Sequence, residues 1–392
     1  MKAVVLHQHE LAVEEVAEPV PGPGQVLLEV AHCGICGSDL HARHHGDLTA
    51  DLARAVGYDD FMRSDQRVVM GHEFSGRVLE YGPRTRRAWK PGTTVVALPI
   101  LQIDGAPQLT GLAQAAPGGY AERVLVQEPF AMPVPNGLPS DVAALTEPMA
   151  VALHAVRRGG VGRKDTAVVV GCGPIGLAVI SVLKAEGHRT VIASDLSPRR
   201  RELARACGAD VVVDPLVDSP WDADQVARRT IALPDLLNLG LSTTERLRRV
   251  PMLPWWEVFK VANRLGATPG GPVVFECVGV PGVIDQIVMA APPRSRVVVV
   301  GVCMEADSFQ PVMAINKELD LRFAFGYDPG EFAETLRMLA EGDLDPRPFL
   351  TGTVGLDGVG TAFDALADAA DHAKILIDPS RQGDAVHRTA GR

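Results

Sequence analysis

No apolar run in the chain reaches the roughly 18 residues that a membrane-spanning helix needs, so a span is excluded and no membrane partner is expected. Positive charge is short as well. Lys and Arg number 38 against 48 Asp and Glu, and the net charge of −10 is opposite in sign to the basic stripe that binds a phosphate backbone, which excludes nucleic acid as the expected partner. The basic runs Arg199 to Arg201 and Arg246 to Arg249 read as solvated helix faces. Cysteine is sparse: Cys33, Cys36, Cys172, Cys207, Cys277 and Cys303 are scattered over 392 residues. The start, "MKAVVLHQHELAVEE", alternates apolar and polar residues and turns acidic, so it reads as a first strand and not as a secretory leader. Reduced thiols in the cytoplasm are therefore expected instead of a disulfide framework. Internal repeats and low-complexity blocks are also missing.

What is present is globular: 46 % hydrophobic and 22 % charged residues, in a length that suits two domains of roughly 150 to 200 residues. The first 150 residues read as short β segments split by Gly/Pro turns, among them "VLLEVAHCGIC", "FSGRVLEYG", "TTVVALPI" and "AERVLVQE", built around loops. From about residue 155 the pattern alternates between strand and helix, as in "TAVVVGCG" followed by "PIGLAVISVLKAEG" and "TVIASD". Such alternation means βαβ units and a parallel sheet. Residues 222 to 268 exceed a βα connection and read as a helical insertion. Thr243 or Thr244 is expected to cap one helix and Pro254 to begin another, with Trp255, Val258, Phe259 and Ala262 at helical spacing. Its Trp pair either packs the insertion onto its own domain or forms a subunit interface or cleft lid. The polar tail "RQGDAVHRTAGR" is expected to fray.

Gly171-x-Gly173-x-x-Gly176 follows an apolar strand and opens a helix, the setting in which glycines serve a dinucleotide. Gly171 permits the tight turn, Gly173 lets the backbone approach a pyrophosphate, and Gly176 allows close helix–sheet packing. Pro174 and Ile175 start the helix whose N-terminus faces the phosphates. Asp195, 19 residues past Gly176, is placed to accept the ribose hydroxyls and to repel a 2′-phosphate, which favours NAD. Arg199, Arg200 and Arg201 keep NADP open, and Arg200 is counted with the cofactor contacts. Val278, Gly301 and Val302, where "GPVVFECVG" and "SRVVVVGVC" end, complete that set.

Cys36, His72, Glu73 and Glu147 supply thiolate, imidazole and carboxylate, a donor set that suits a four-coordinate zinc with one position left for water or substrate. Zinc would lower the pKa of the water or substrate group it binds. Ser38, two residues past Cys36, is either the group that takes a proton there or a turn former, and His41, five past it, either hands that proton to solvent or is a surface histidine. Glu73 is either a ligand or a base beside the metal, and Glu147 either a ligand or a helix N-terminal carboxylate. Cys33-x-x-Cys36 has no second Cys-x-x-Cys to complete a zinc knuckle, so Cys33 is read as a packing thiol. His44 and His45 read as solvent-facing and His154 as a core histidine.

"GICGSDLH", "GHEFSGRV", "PGGYAERV", "TEPMAVALHAV" and "GCGPIGLAVI", in this order, resemble the zinc-dependent medium-chain dehydrogenase/reductase superfamily, on the branch with sorbitol, threonine and butanediol dehydrogenases. The resemblance implies an α/β fold: a GroES-like β-rich catalytic domain over 1–155 and 327–392, and a Rossmann doubly wound parallel-sheet domain over 156–326. It implies that Cys36 and His72 ligate a catalytic zinc, that Glu73 and Glu147 ligate it or stand beside it and exchange with water, and that Ser38 and His41 form the proton relay. A homodimer or homotetramer is implied too. Many relatives carry four closely spaced cysteines near residues 98 to 119, where this chain has none, so one catalytic zinc per subunit and no structural zinc are expected. The activity expected is hydride transfer between a secondary alcohol or polyol, with its ketone, and NAD. An aldehyde reductase or dismutase of the same superfamily, or a non-catalytic NAD- or zinc-binding protein, are the alternatives.

Overall fold

The structure, a computed structural model, describes residues 1–227, 230–264, 270–368 and 371–389. β1 (Lys2–His7) and β2 (Glu10–Glu15) form a hairpin, followed by β3 (Gln25–Gly34), helix α1 (Gly37–Ala55), β4 (Val68–Val69), β5 (Glu73–Tyr81) and β6 (Thr94–Ala97). A second hairpin, β7 (Ile100–Ile103) with β8 (Ala106–Leu109), precedes β9 (Arg123–Gln127) and β10 (Ala131–Pro133). Helices α2 (Ser140–Ala143) and α3 (Thr146–Gly159) lead out of this domain.

The alternating segment then forms β11 (Thr166–Val170), α4 (Pro174–Ala185), β12 (Thr190–Ser194), α5 (Pro198–Ala206) and β13 (Val211–Val213). Three helices follow, α6 (Asp224–Ala227), α7 (Leu233–Arg248) and α8 (Trp255–Arg264). The sheet resumes with β14 (Val273–Glu276), α9 (Val283–Ala290), β15 (Arg296–Val299), α10 (Pro311–Lys317) and β16 (Asp320–Phe323). All six strands are parallel, in the order β13-β12-β11-β14-β15-β16. Val168, Ile192, Val274 and Val297 point to one face, and Val169, Ala193, Phe275 and Val298 to the other; all are buried. Cover on both faces is why these strands read as unbroken apolar runs. The strand order reverses between β11 and β14, and there the carboxyl ends leave a crevice.

After α11 (Pro329–Glu341) the chain returns to the first domain as β17 (Leu350–Val354), α12 (Val359–Ala367), β18 (Lys374–Ile377) and β19 (His387–Arg388). The large first-domain sheet runs β10-β6-β5-β3-β18-β17-β19, with β9 also on β3, so strands from both ends of the chain share one core.

Four expectations change. The stretch after Cys36, read only as part of a β-rich domain built around loops, is a 19-residue helix kinked at His45; its buried residues are Asp39, Ala42, Gly46 and Ala50, which mark no apolar period. Thr243 and Thr244 cap nothing: they lie inside α7, where the Thr244 hydroxyl donates to the Gly240 carbonyl at 2.8 Å, although Pro254 does precede α8 as expected. Residues 228–229 and 265–268 of the expected insertion lie outside the described residues. Arg201 is not solvated: its guanidinium donates to the carbonyls of Asp195 and Leu196 and pairs with Asp214 at 2.8 Å. The tail is tied down through β19, which pairs antiparallel with β17, and Arg388 holds Asp371 at 2.7 Å; residues 390–392 lie outside the described residues.

Phe275 is fully buried at the centre of the parallel sheet, against Gly159. Phe275→Ala is expected to lower the unfolding free energy by about 3–5 kcal/mol in urea titrations; a loss below about 1 kcal/mol would contradict this packing.

Candidate active site

β3 ends at Gly34 and α1 begins three residues later, so Cys36 stands at the N-cap of a long helix. Asp39, at the third position of that helix, turns its carboxylate back. Its Oδ2 accepts from the Cys36 amide at 3.0 Å and from the Tyr120 hydroxyl at 2.6 Å. Its Oδ1 faces His72 Nδ1 at 3.4 Å. Asp39 has no exposed surface and His72 very little. Burial alone would raise the Asp39 carboxyl, but His72, Tyr120 and the Cys36 amide together hold it below the usual carboxylate range. Burial likewise pulls the His72 imidazole down, and Asp39 more than reverses this, leaving it well above its ordinary value. Nδ1 faces this carboxylate as an ion pair without hydrogen-bond geometry, and Nε2 lies 3.3 Å from the Ser38 hydroxyl.

A second buried pair borders the first. The β3–β5 register sets Gly34 opposite Glu73, and a Cβ at position 34 would stand 2.0 Å from Glu73 Oε2, so no other residue fits beside this carboxylate. Glu73 Oε2 is paired with the Lys374 ammonium from β18, which also donates to the Ile35 carbonyl at 2.9 Å. Burial lowers Lys374, and Glu73 outweighs that, keeping it charged. Glu73 Oε1 is buried without a hydrogen-bond partner. A buried carboxylate oxygen left open is costly unless something else meets it.

Donor atoms of Cys36, His72 and Glu73 lie within 4.8 Å of one another, the one such group among the described residues. Thiolate, imidazole and an orphaned carboxylate oxygen, with an Asp behind the imidazole, fit zinc. Glu147 is outside that group but close to it. It occupies the first turn of α3 and hydrogen-bonds the Tyr327 hydroxyl; burial, opposed by His72 and reinforced by Glu73, pushes its carboxyl up to about 7. Tyr327 is in turn pushed up by burial and by Glu147, and its ring stacks on Phe332 at 5.6 Å.

His41 lies three residues past Ser38 on the same side of α1, half-buried, with its ring 6.5 Å from His45. Burial lowers it. His44 and His45 are exposed. His154 is not an isolated core histidine: its Nδ1 meets Glu331 at 2.9 Å and ties α3 to α11. Cys33 is wholly buried and its thiol is pushed well up, first by burial and then by Asp39 and Glu73; its sulfur packs toward Gly71 and Gly119. Asp39, Lys374, Tyr120 and Tyr327 were not read from the sequence. For Asp39 a signal existed, the N-cap-to-third-position spacing from Cys36; for the others it did not.

In the crevice of the parallel sheet, Gly171 has φ +90° and Gly176 touches it so closely that a Cβ would stand 1.9 Å from the Gly171 carbonyl oxygen. Pro174 is the first residue of α4 and Gly173 its N-cap. The Asp195 carboxylate, at the end of β12, accepts from the Cys172 amide at 2.6 Å and the Ser197 amide at 2.7 Å, which fixes it beside the glycine turn. Arg200 reaches within 4.0 Å of a Cβ built on Gly173, and its Nε is buried without a partner. Val278 overhangs Gly171, while Gly301 and Val302 pack on Gly279. The sequence-read cofactor residues therefore converge on one crevice, with Ile175 half-buried beneath them.

The family model for alcohol dehydrogenase GroES-like domains matches residues 22–136, and the model for zinc-binding dehydrogenases matches residues 174–341. The (R,R)-butanediol dehydrogenase of Bacillus subtilis is 32 % identical over 391 residues, spanning 97 % of this chain and all of that protein. Human sorbitol dehydrogenase is 27 % identical over 97 % of each chain. Among solved structures, the 2R,3R-butanediol dehydrogenase from Bacillus subtilis superposes with a TM-score of 0.73 at 31 % identity, over 97 % of this chain and 99 % of the other. A zinc-binding dehydrogenase from Sinorhizobium meliloti bound to NADP gives 0.72 at 27 % identity, over 96 % and 99 %. With its glycine crevice, its Cys–His–Glu cluster and this likeness along nearly its whole length, the chain belongs to the zinc-dependent medium-chain alcohol dehydrogenase family.

Proposed function

We propose that this protein is an NAD-dependent dehydrogenase of secondary alcohols and polyols that works with one zinc ion per subunit. The observation that carries the reading is the cluster of Cys36, His72 and Glu73 donors, backed by Asp39 and Lys374. Cys36 and His72 would hold the metal, with Glu73 through its open Oε1. Glu147 stands by as a second carboxylate that Tyr327 keeps oriented. When bound, zinc supplies a Lewis acid to the substrate oxygen and the nicotinamide accepts hydride. Asp39 keeps the His72 ring turned so that Nε2 faces the centre. The Ser38 hydroxyl takes the substrate proton, and His41, one turn along α1, passes it to solvent. Asp195 receives the ribose hydroxyls, and Arg200, Val278, Gly301 and Val302 border the cofactor. The substrate class rests on relatives that by name act on butanediol, sorbitol and erythritol or threitol.

Segment 98–119 supports a single zinc: its hairpin is organised around Leu101, Ala113 and Ala116 in a small apolar core. A homo-oligomer is supported by the edge of the parallel sheet, where Phe323 and, just beyond it, Phe325 are exposed, with Ile315 on α10. The cytoplasm is the compartment in which the cysteines, all free, would remain reduced. NADP is the second reading, favoured by the open Arg200 guanidinium and by the NADP-bound relative.

Cofactor reduction with vicinal diols and sugar alcohols, before and after chelation and again after zinc is restored, tests the proposal. Turnover should vanish with the metal and return with it, and NAD should exceed NADP in kcat/KM by more than about tenfold, the equivalent of ~1.4 kcal/mol of carboxylate–phosphate repulsion. Activity that survives complete zinc removal would sink the mechanism. His41→Ala should lower kcat by about 10- to 100-fold near neutral pH with zinc content unchanged; an unaltered pH profile would remove His41 from the relay.

Glu147 gives a stability test on zinc-free protein. Its folded pKa of about 7 lies above the ordinary carboxyl value of 4.5, so between those values the native state holds more protons than the unfolded state. Stability should therefore fall as pH rises through that window. Glu147→Gln should flatten this slope in melting curves of chelated protein; equal slopes would show that the carboxyl is not desolvated.

A further inference from the structure

We infer that the hairpin of α7 and α8 is a docking surface for an anionic lipid bilayer, which it enters shallowly with the turn between the helices. Helix α7 touches α8, and α8 carries its own aromatic group, in which Trp255 meets Phe259 edge-on at 6.2 Å and Trp256 at 5.8 Å. Among the described residues, none of their side chains joins a hydrophobic cluster of the protein, and none is fully buried. Among the described residues the Trp pair packs within α8 and joins no hydrophobic cluster of the parallel-sheet domain.

Apolar groups are instead presented at the tip. Met252 is fully exposed, held at φ +61°, and Val250 and Trp256 are each about half exposed at 51 % and 52 %. Beside them stand Arg246, Arg248 and Arg249, all exposed and none paired with a carboxylate among the described residues, whereas Lys260 on α8 is neutralised by Glu257. An unneutralised cationic cluster stands out on a chain whose net charge is −10.

Charge decides between occupants. In a two-fold contact through this tip the arginines of one copy would face those of the other, a like-charge juxtaposition. A folded protein partner needs a complementary face, and these side chains stand on an exposed turn between two helices. An anionic bilayer meets both features: its headgroups attract the arginines, its acyl boundary takes Met252 and Val250, and tryptophan prefers the interface between. No spanning segment is required, and no helix among the described residues is long and apolar enough to cross a membrane.

The experiment is co-sedimentation of the full chain with vesicles of phosphatidylcholine alone and of phosphatidylcholine mixed with phosphatidylglycerol, at low and high salt. Binding is expected only to the mixed vesicles, released by salt, with a blue shift of tryptophan emission. Reversing the cluster (R246E/R248E/R249E) should weaken binding by about 100-fold or more, and Met252→Asp should weaken it too, both with turnover unchanged. Equal behaviour toward the two vesicle types, or binding indifferent to these substitutions, overturns the proposal. So does a fall in oligomer mass on Met252→Asp without any vesicle effect, which would assign the tip to a second copy of the chain.

Discussion

The buried carboxylate of Asp39 is the constraint on which the catalytic domain is arranged. It starts α1 by accepting the Cys36 amide, fixes Tyr120 from a distant loop, and aligns His72. A charge without solvent must be surrounded by donors, and here the donors are the parts of the cluster that need positioning. Helix capping and the orientation of the candidate metal donors are thereby one arrangement. Glu73 repeats the logic with Lys374, which neutralises one oxygen and leaves the other open.

What could be read in advance was whatever is local. Alternating strand and helix periods, three glycines with fixed spacing and an acid at the end of the next strand are short-range signals, and each marks a backbone requirement. The crevice at β11 and β14 follows from them. Cys36, His72 and Glu73 were legible as donor types, and the fold supplied their proximity.

Other features were hidden for identifiable reasons. Helix α1 buries alanine and glycine, which a hydrophobic pattern does not register. Lys374 and Tyr327 reach the cluster through the β3–β18 pairing and the segment before α11, so nothing near them in sequence announces the contact. The β19 pairing was missed because a two-residue strand carries no period. His154 looked apolar in setting because its partner, Glu331, is 177 residues away.

The position of Lys374 orders events in time. On a growing chain Cys36, His72 and Glu73 are made first, yet the counter-charge that lets Glu73 be buried lies in β18, made only after the whole parallel sheet. The parallel-sheet domain between them can fold first, since domains form as units during synthesis, while the earlier domain waits with an unfilled sheet edge at β3. A chain truncated before β18 would have every candidate metal donor and no finished place to keep them.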